Sequence, residues 1–307
     1  MGMIFPITAL LDDKQSEEWL LQHFHPEGLR CPKCGSTTSR IFRKTKTSGL
    51  SVYRCLQCGG IYNLYSGTLF EKKHLRPSQV VLLLRGVAKG ESSMSLSEEL
   101  GASRTTVHHL RQELQGNAER LRPDTPLTDE HTETDEMFQN AGKKGERHPD
   151  PEDPPRRRAN KRRGHGSYDN DRPPIVGSVG RKSAEVRLRV EKHTDHETLL
   201  AHVHGYTQTT ATSYTDEWRA YERVDREHRT VSHGIKEWAR DDDGDGIREV
   251  HVNTIEGLWT TLRNFLRPFR GIHKKYLSGY VAMCEFAINL RRVTPAFISS
   301  LVAVHSV

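Results

Sequence analysis

The sequence predicts an α/β chain in which a mixed sheet with helical cover follows a small metal-binding β module and a helical segment. Three observations predict it. Two C-x2-C pairs stand 20 residues apart, two helical patterns are separated by one glycine, and strand patterns run in a row from Thr132 before alternating with helical ones. A run of strands followed by alternating strands and helices is the order of a mixed α/β sheet. At 307 residues the chain is too long for one small core.

Charge bounds the partners. The 46 Lys and Arg residues exceed the 40 Asp and Glu residues, giving a formal +6 and an isoelectric point near 9.0. A polyanionic partner fits this balance without being required by it. The apolar stretch Ile4–Leu10 has no basic segment before it, and Asp12 and Asp13 follow it, which argues against a secretory signal. Val80–Leu84 is far too short to cross a bilayer. A cytoplasmic, nucleoid-associated protein with no membrane partner is the expectation.

Residues 1–27 hold an amphipathic, acidic helix over Lys14–His23. Residues 28–70 follow as the metal module. Cys31, Cys34, Cys55 and Cys58 can wrap four thiolates around one tetrahedral Zn²⁺, with glycine after both knuckles at Gly35 and Gly59 and β-prone segments between. This is the layout of a zinc ribbon. Lys33, Arg40, Arg43, Lys44, Lys46 and Arg54 lie between the knuckles with no carboxylate, a one-sign surface suited to phosphates; zinc ribbons also bind proteins. The fifth cysteine, Cys284, reads as a small buried hydrophobe.

Residues 71–122 read as helices. Pro77–Lys89 begins with proline, Ser95 with Glu98 can cap a short helix, Gly101 marks a turn, and Ser103 can cap a second helix from Arg104 to about Gln115. Two short helices with a glycine break suggest a helix-turn-helix. Arg104, Thr105, His108 and Arg111 are its polar candidates for the major groove, while Val107, Leu110 and Leu114 pack inward. A helical hairpin with no role on DNA is the competing reading.

The second domain spans residues 127–293. "HTETDEMF" is an unusually acidic strand. Residues 143–173 form an insertion, of which Lys143–Arg163 carries nine Lys or Arg against four carboxylates, with four prolines. Such a segment cannot bury enough apolar surface to fold alone and reads as a flexible basic loop, either phosphate-binding or merely solvated. "PIVGSVGR" and "EVRLRVEK" are strands, the second alternating Val186, Leu188 and Val190 against Arg187, Arg189 and Glu191. "HETLLAHVHGY" is a helix, a Thr-rich strand ends in "SYTDEW", and another helix start follows it. In "HVNTIEGLWTTLRNF", Ile255, Leu258, Trp259, Leu262, Phe265 and Leu266 recur at helical spacing. Residues 294–307 are read as a C-terminal tail.

Three carboxylates occupy places that a mixed sheet can bring to one edge: Asp135 in the first strand, Asp216 at the end of the strand after the helix, and Glu256 near the start of the late helix. Three such charges together need a cation, and hard oxygen ligands select Mg²⁺ or Mn²⁺. Two of these ions suit in-line phosphodiester chemistry. Each residue has a plainer reading. Asn253 with Glu256 forms a capping-box pattern, and Asp216 can cap the helix carrying Trp218 and Tyr221. "DDDGDGIREVHV" imitates an EF-hand loop through Asp241, Asp243 and Asp245, but its twelfth position is Val252 where calcium needs a glutamate.

The sequence resembles the DDE insertion-sequence transposases that carry an N-terminal zinc ribbon, the ISXO-like group. The resemblance runs from about Gly28 to Arg292. It rests on the paired C-x2-C, on "YSGTLFEKKHLRPSQVVLLL", "TDEMFQNAGKK" and "SYTDEWRAY", and on "HVNTIEGLWTTLRNFLRPFRGIHKKYLSGYVAMCEFAINLRR". The 39 residues between Asp216 and Glu256 are close to the interval such enzymes use. The resemblance implies an RNase H-like core, a triad of Asp135, Asp216 and Glu256, and His233, His251 and Asn253 as polar positions around it. It further implies a structural Zn²⁺ and catalytic Mg²⁺ or Mn²⁺. Its partners would be double-stranded DNA, as element ends and target, and further copies of the chain in a dimer or larger assembly. Arg263, Arg267 and Arg270 would hold phosphates. The sequence departs from the family in its acidic first strand, where Glu136 and Asp129 rival Asp135, and in its long Pro/Arg-rich insertion. A DNA-binding regulator without catalysis and a metal-dependent nuclease that cuts without joining are the alternatives.

Overall fold

The computed structural model describes residues 12–146 and 164–304. Ile4–Leu10 and most of the insertion Lys143–Arg163 lie outside the described residues. The chain divides into two compact units, residues 1–121 with 290–307, and residues 122–289.

The first unit opens with α1 (Asp13–Phe24), capped by Asp12, whose side chain accepts the Gln15 N–H at 2.7 Å. Strands β1 (Ser39–Lys44), β2 (Ser51–Cys55) and β3 (Ile61–Asn63) form the antiparallel ribbon. Next come α2 (Pro77–Ala88), with proline in its first turn, and α3 (Ser93–Leu100). The cap of α3 is Ser92, three residues ahead of the predicted Ser95, which donates its N–H to Ser92 at 3.1 Å. Gly101 ends α3 at φ +59°, a left-handed conformation that glycine adopts without steric cost. Ser103 caps α4 (Arg104–Leu121) by accepting the Thr106 N–H at 3.1 Å.

Most of the expected tail is structured, and residues 305–307 lie outside the described residues. Pro295–Leu301 is a helix with Phe297, Ile298 and Leu301 buried. Asn117 of α4 donates to the carbonyls of Leu301 at 2.7 Å and Ala303 at 2.9 Å. Apolar burial and these two hydrogen bonds, one of them buried, hold this segment in the first unit.

The second unit is built on five strands: β4 (His131–Phe138), β5 (Pro174–Gly180), β6 (Val186–Val190), β7 (Thr212–Asp216) and β8 (His228–Val231), with α5 (His196–Tyr206) between β6 and β7. Their order is β6-β5-β4-β7-β8. β4, β5 and β6 are antiparallel neighbours, and β7 and β8 run parallel to β4. This is the RNase H-like arrangement. The helix start expected after "SYTDEW" is only a 3-10 turn, Arg219–Tyr221, and β8 follows it. A two-stranded ribbon, β9 (Ala239–Arg240) and β10 (Val250–His251), leads into α6 (Asn253–Leu266) and then α7 (Lys274–Asn289).

Alternation along the strands sorts the side chains onto two faces. Met137, Ile175, Val179, Leu188 and Tyr214 pack with Ile255, Leu258, Trp259 and Leu262 of α6 and with Leu277 and Val281 of α7. Val176 packs with Leu199 and Val203 of α5 and with Tyr221. Cys284 lies in the α7 core at 2% exposure, where burial pushes its thiol up to about 12.

The alternation read for β6 does not carry through to solvent, because Arg187 and Arg189 are buried. β6 is an edge strand, and its arginines are covered by the chain entering the unit. Arg187 donates to Thr125 O at 2.9 Å, and Arg189 donates to Pro123 O at 2.8 Å and to the Tyr206 hydroxyl at 2.8 Å. Glu285, fully buried, balances this charge by accepting from Arg189 at 3.2 Å and from the Leu188 N–H at 3.1 Å. Asn289 pairs the Val186 backbone in both directions. The edge is thereby closed to a foreign strand.

His202 of α5 is 3% exposed, and neither ring nitrogen has a hydrogen-bond partner among the described residues. Burial first and Arg189 second push it down to about 3. The folded state therefore holds a neutral imidazole, while the unfolded chain takes up a proton below about 6.5, so this group removes stability as pH falls through that window. Denaturant unfolding of His202→Leu against the parent should show the variant gaining about 1.4 kcal/mol relative to the parent per pH unit between pH 6 and 4. A pH-independent difference would contradict this.

Candidate active site

In the first unit, Cys31, Cys34, Cys55 and Cys58 converge, with all four Sγ atoms within 4.8 Å of one another. Cys31 and Cys58 are 3.6 Å apart, as are Cys34 and Cys55. Four thiolates at Zn–S distances of about 2.3 Å around a tetrahedral ion have sulfurs roughly 3.8 Å apart, so the donor set fits Zn²⁺. The backbone N–H of Cys58, helped by that of Gln57, lowers the Cys55 thiol, while Cys34, hydrogen-bonded to the other three, is raised, so the four share protons that a metal would displace.

On α4, Arg104, Thr105 and His108 are exposed, as a groove-facing helix surface requires. Arg111 is not available for that purpose. It is 0% exposed, and its guanidinium donates to Ser93 Oγ at 2.9 Å and to Glu91 O. It binds α4 to the start of α3.

In the second unit, the candidate carboxylates gather around one end of the sheet. Asp135 and Asp216 lie on adjacent parallel strands, each two residues beyond the paired Glu133 and Tyr214, where strand spacing is about 4.8 Å. Asp135 faces α6, and its Oδ2 accepts the Trp259 indole N–H at 2.7 Å. Gly177, paired with Asp135 on β5, makes this possible: a Cβ there would stand 2.6 Å from the Trp259 ring. Asp216 Oδ1 accepts the Trp218 N–H at 3.0 Å, a local turn rather than the cap of a full helix. Glu256 is half-exposed on α6, with Oε1 3.7 Å from His233 Nε2.

These groups share an electrostatic environment. Burial pushes Asp135 up to about 6, the Trp259 hydrogen bond opposes the rise, and Asp216 and Glu256 add to it. Burial also raises Asp216, against the Trp218 N–H and His233. The oxygens of the three carboxylates are not all within 4.8 Å of one another; among the described residues, only the cysteine cluster and Asp241, Asp243 and Asp245 form such groups. Asp135 and Asp216 each have one oxygen held, by an indole and by an amide. Asp135 and Asp216, whose ionised forms burial disfavours, are oxygen donors of the kind a hard divalent cation takes.

The rivals of Asp135 have other work. Glu136 points to the opposite sheet face, where its Oε2 accepts the buried Tyr221 hydroxyl at 2.9 Å, and burial followed by the Asp135 charge pushes it up to about 8. Asp129 accepts the N–H groups of Lys182 and Ser183, both at 2.8 Å, and the Ser183 hydroxyl at 2.7 Å, so it fixes the β5–β6 turn. In the acidic turn, Asp241 accepts the N–H groups of Gly244 and Gly246.

The capping box of α6 is also corrected. Asn253 is the first helical residue, Val252 precedes it as cap with no side-chain bond, and Glu256 makes an ordinary helical N–H bond to Val252 O at 3.2 Å. Glu133 of β4 caps the helix instead, accepting the Ile255 N–H at 3.0 Å. Of the polar neighbours expected at the site, His233 reaches Glu256, whereas His251 faces Glu133 at 3.2 Å and Asn253 is exposed. Arg263, Arg267 and Arg270 are exposed beyond Glu256. Sequence reasoning missed Glu133, Trp259 as a donor to Asp135, and the exposed Trp218 and Trp238, the latter 5.0 Å from the His233 ring. The period-two spacing of Glu133 and Asp135 was the available signal for the first.

An RNase H-like sheet of this order, preceded by a four-cysteine ribbon, defines a protein of the DDE transposase class. The family comparison gives the same answer: residues 128–289, more than half of the chain, match the ISXO2-like transposase domain, and the chain belongs to that family. A relative from Halobacterium salinarum, described as an uncharacterized protein in transposable element ISH50, is 26% identical over 294 residues, covering 94% of each chain. A solved structure, a simian T-cell lymphotropic virus intasome with the PP2A regulatory subunit B56 gamma, is 12% identical over 66% of each chain with a TM-score of 0.27, too low to bear on the fold. Among the described residues, no helix is long and apolar enough to cross a membrane.

Two outcomes follow from this geometry. Cys55→Ser should lower bound zinc, measured by atomic absorption, and destabilise the first unit; unchanged stoichiometry would contradict the four-thiolate site. Asp135 binds its proton more tightly folded than unfolded between pH 3.8 and about 6, so it removes stability as pH rises through that window and its full cost is present at pH 7. Asp135→Asn, in buffer without added divalent cation, should therefore unfold with a free energy about 1–3 kcal/mol above the parent at pH 7, the gain vanishing near pH 4.

Proposed function

We propose that this chain is a transposase that binds the ends of its own mobile element, cuts them, and joins the freed 3′ ends to target DNA. The observation that supports this reading is that Asp135 on β4 feels the charges of Asp216 on β7 and Glu256 on α6, all three within the matched family domain. Asp135, Asp216 and Glu256 would hold two divalent cations. When bound, these ions supply the positive charge that activates an attacking oxygen and stabilises the leaving oxygen on phosphorus.

The chain's own residues set up that chemistry. The Trp259 indole fixes the Asp135 carboxylate, and the Trp218 N–H fixes that of Asp216. His233 Nε2 lies 3.7 Å from Glu256 Oε1. Exposed Arg263, Arg267 and Arg270 would meet a DNA backbone, and Trp238 offers an exposed ring on which an unpaired base can stack. The ribbon and the Arg104, Thr105 and His108 surface of α4 recognise the element ends, with the ribbon's basic residues supplying salt-dependent affinity. Two ends must be held together, so the working assembly contains at least two copies.

Glu256→Gln tests the reading directly, since the helix is capped by Glu133 and does not need the Glu256 charge. With Mg²⁺ and DNA from the flanks of its gene, the parent should yield joined products. The variant should fold and bind the ends but join at least 100-fold more slowly. Joining by the variant at the parental rate would overturn the assignment, and nicked products alone from the parent would favour a nuclease.

A further inference from the structure

Glu133 lies on the same face of β4 as Asp135 and is fully buried. Its Oε2 accepts the Ile255 N–H at 3.0 Å, and its Oε1 accepts the Thr254 hydroxyl at 2.8 Å and Arg181 Nε at 2.8 Å. Arg181 extends the cluster, donating to the carbonyls of Glu249 at 2.7 Å and His251 at 2.6 Å while its guanidinium lies 3.7 Å over the Tyr214 ring. One carboxylate thus ties together β4, the turn after β5, the strand entering α6, and the helical residue just before Glu256.

We infer that Glu133 is a positioning residue that sets Glu256 against Asp135, so that its loss disables the cation-binding constellation without disabling DNA binding. The inference rests on the proposed reading of the triad. Asp135 and Glu256 are separated by most of the second domain in sequence, and their relative placement needs a tertiary anchor. A buried carboxylate with three donors makes short, directional hydrogen bonds that fix both the depth and the rotation of the first turn of α6. Displacements near 1 Å in such a constellation are enough to lower turnover about 100-fold. Carboxylates that orient ligands without touching the ion change metal affinity or activity by roughly 10–100-fold when altered.

Glu133→Gln is the informative change. Glutamine keeps the size but has one acceptor oxygen and one NH2 group. The NH2 must face either the Ile255 N–H or the Thr254 and Arg181 donors, so one tie to α6 becomes donor against donor. In the full-length chain, we expect affinity for element-end DNA within twofold of the parent and cleavage turnover lowered about 10–100-fold. The Mn²⁺ dissociation constant, read by electron paramagnetic resonance as the difference from Asp216→Asn, should rise about tenfold. Thr254→Val, which deletes one of the three hydrogen bonds to the Glu133 carboxylate, should move turnover and Mn²⁺ affinity the same way by roughly threefold.

Parental turnover and Mn²⁺ affinity in a folded Glu133→Gln would overturn the inference. So would an equal loss of DNA affinity and turnover with Mn²⁺ affinity unchanged, the mark of general damage. Should Glu133→Gln fail to fold, Thr254→Val decides alone, and parental values there reject the role. A parent that cuts no DNA and shows no Mn²⁺ binding sensitive to Asp216→Asn removes the functional reading itself, and this inference with it.

Discussion

The second domain is organised around the cost of placing carboxylates close together with little water around them. β4 alone carries Glu133, Asp135 and Glu136, and each is handled differently. Glu133 is paired with Arg181 and used as a helix cap, Glu136 turns to the other face and meets the Tyr221 hydroxyl, and Asp135, held by the Trp259 indole, feels the charges of Asp216 and Glu256. Burial disfavours the ionised form of an acid, and like charges add to the effect. The strand is therefore stable where its acids are matched and poised where they are not. Acids perturbed in this way at one end of a sheet mark a candidate functional site.

The packing serves the same end. Gly177 gives up a side chain so that Trp259 can lie against the sheet and reach Asp135. The apolar stripe of α6, from Ile255 to Leu266, seats that helix on the same face. On the far edge, Glu285 and Asn289 satisfy the backbone of β6, leaving the opposite end of the sheet order as the one extended by β8. The first unit depends on a different constraint, four sulfurs held by two short knuckles, and on a C-terminal helix that completes its core.

Much of this was legible in the sequence because its signals are local. The cysteine spacing, the helical stripe of α6, and the run of α5 from His196 depend on residues a few positions apart. The errors came where a distant group intervenes. Asn253 and Glu256 matched a capping pattern, but a carboxylate from β4 took the cap, and nothing within the pattern could reveal it. Arg187 and Arg189 alternated as if facing water, yet the chain near Pro123–Thr125 covers them. Arg111 is a different case. Its spacing from Val107 and Leu114 already placed it on the inward stripe of α4, and its charge obscured that reading. Asp135, Asp216 and Glu256 were proposed from their places in a mixed sheet and then from the family resemblance; the strand order puts Asp135 and Asp216 on adjacent parallel strands.

The central claim is that Asp135, Asp216 and Glu256 act together on divalent cations. Anomalous scattering at the manganese edge, from crystals of the full-length chain grown with Mn²⁺ and element-end DNA, tests it most directly. The account requires anomalous peaks in contact with oxygens of all three carboxylates. Peaks confined to the acidic turn at Asp241, Asp243 and Asp245, with none beside Asp135 and Asp216, would contradict it.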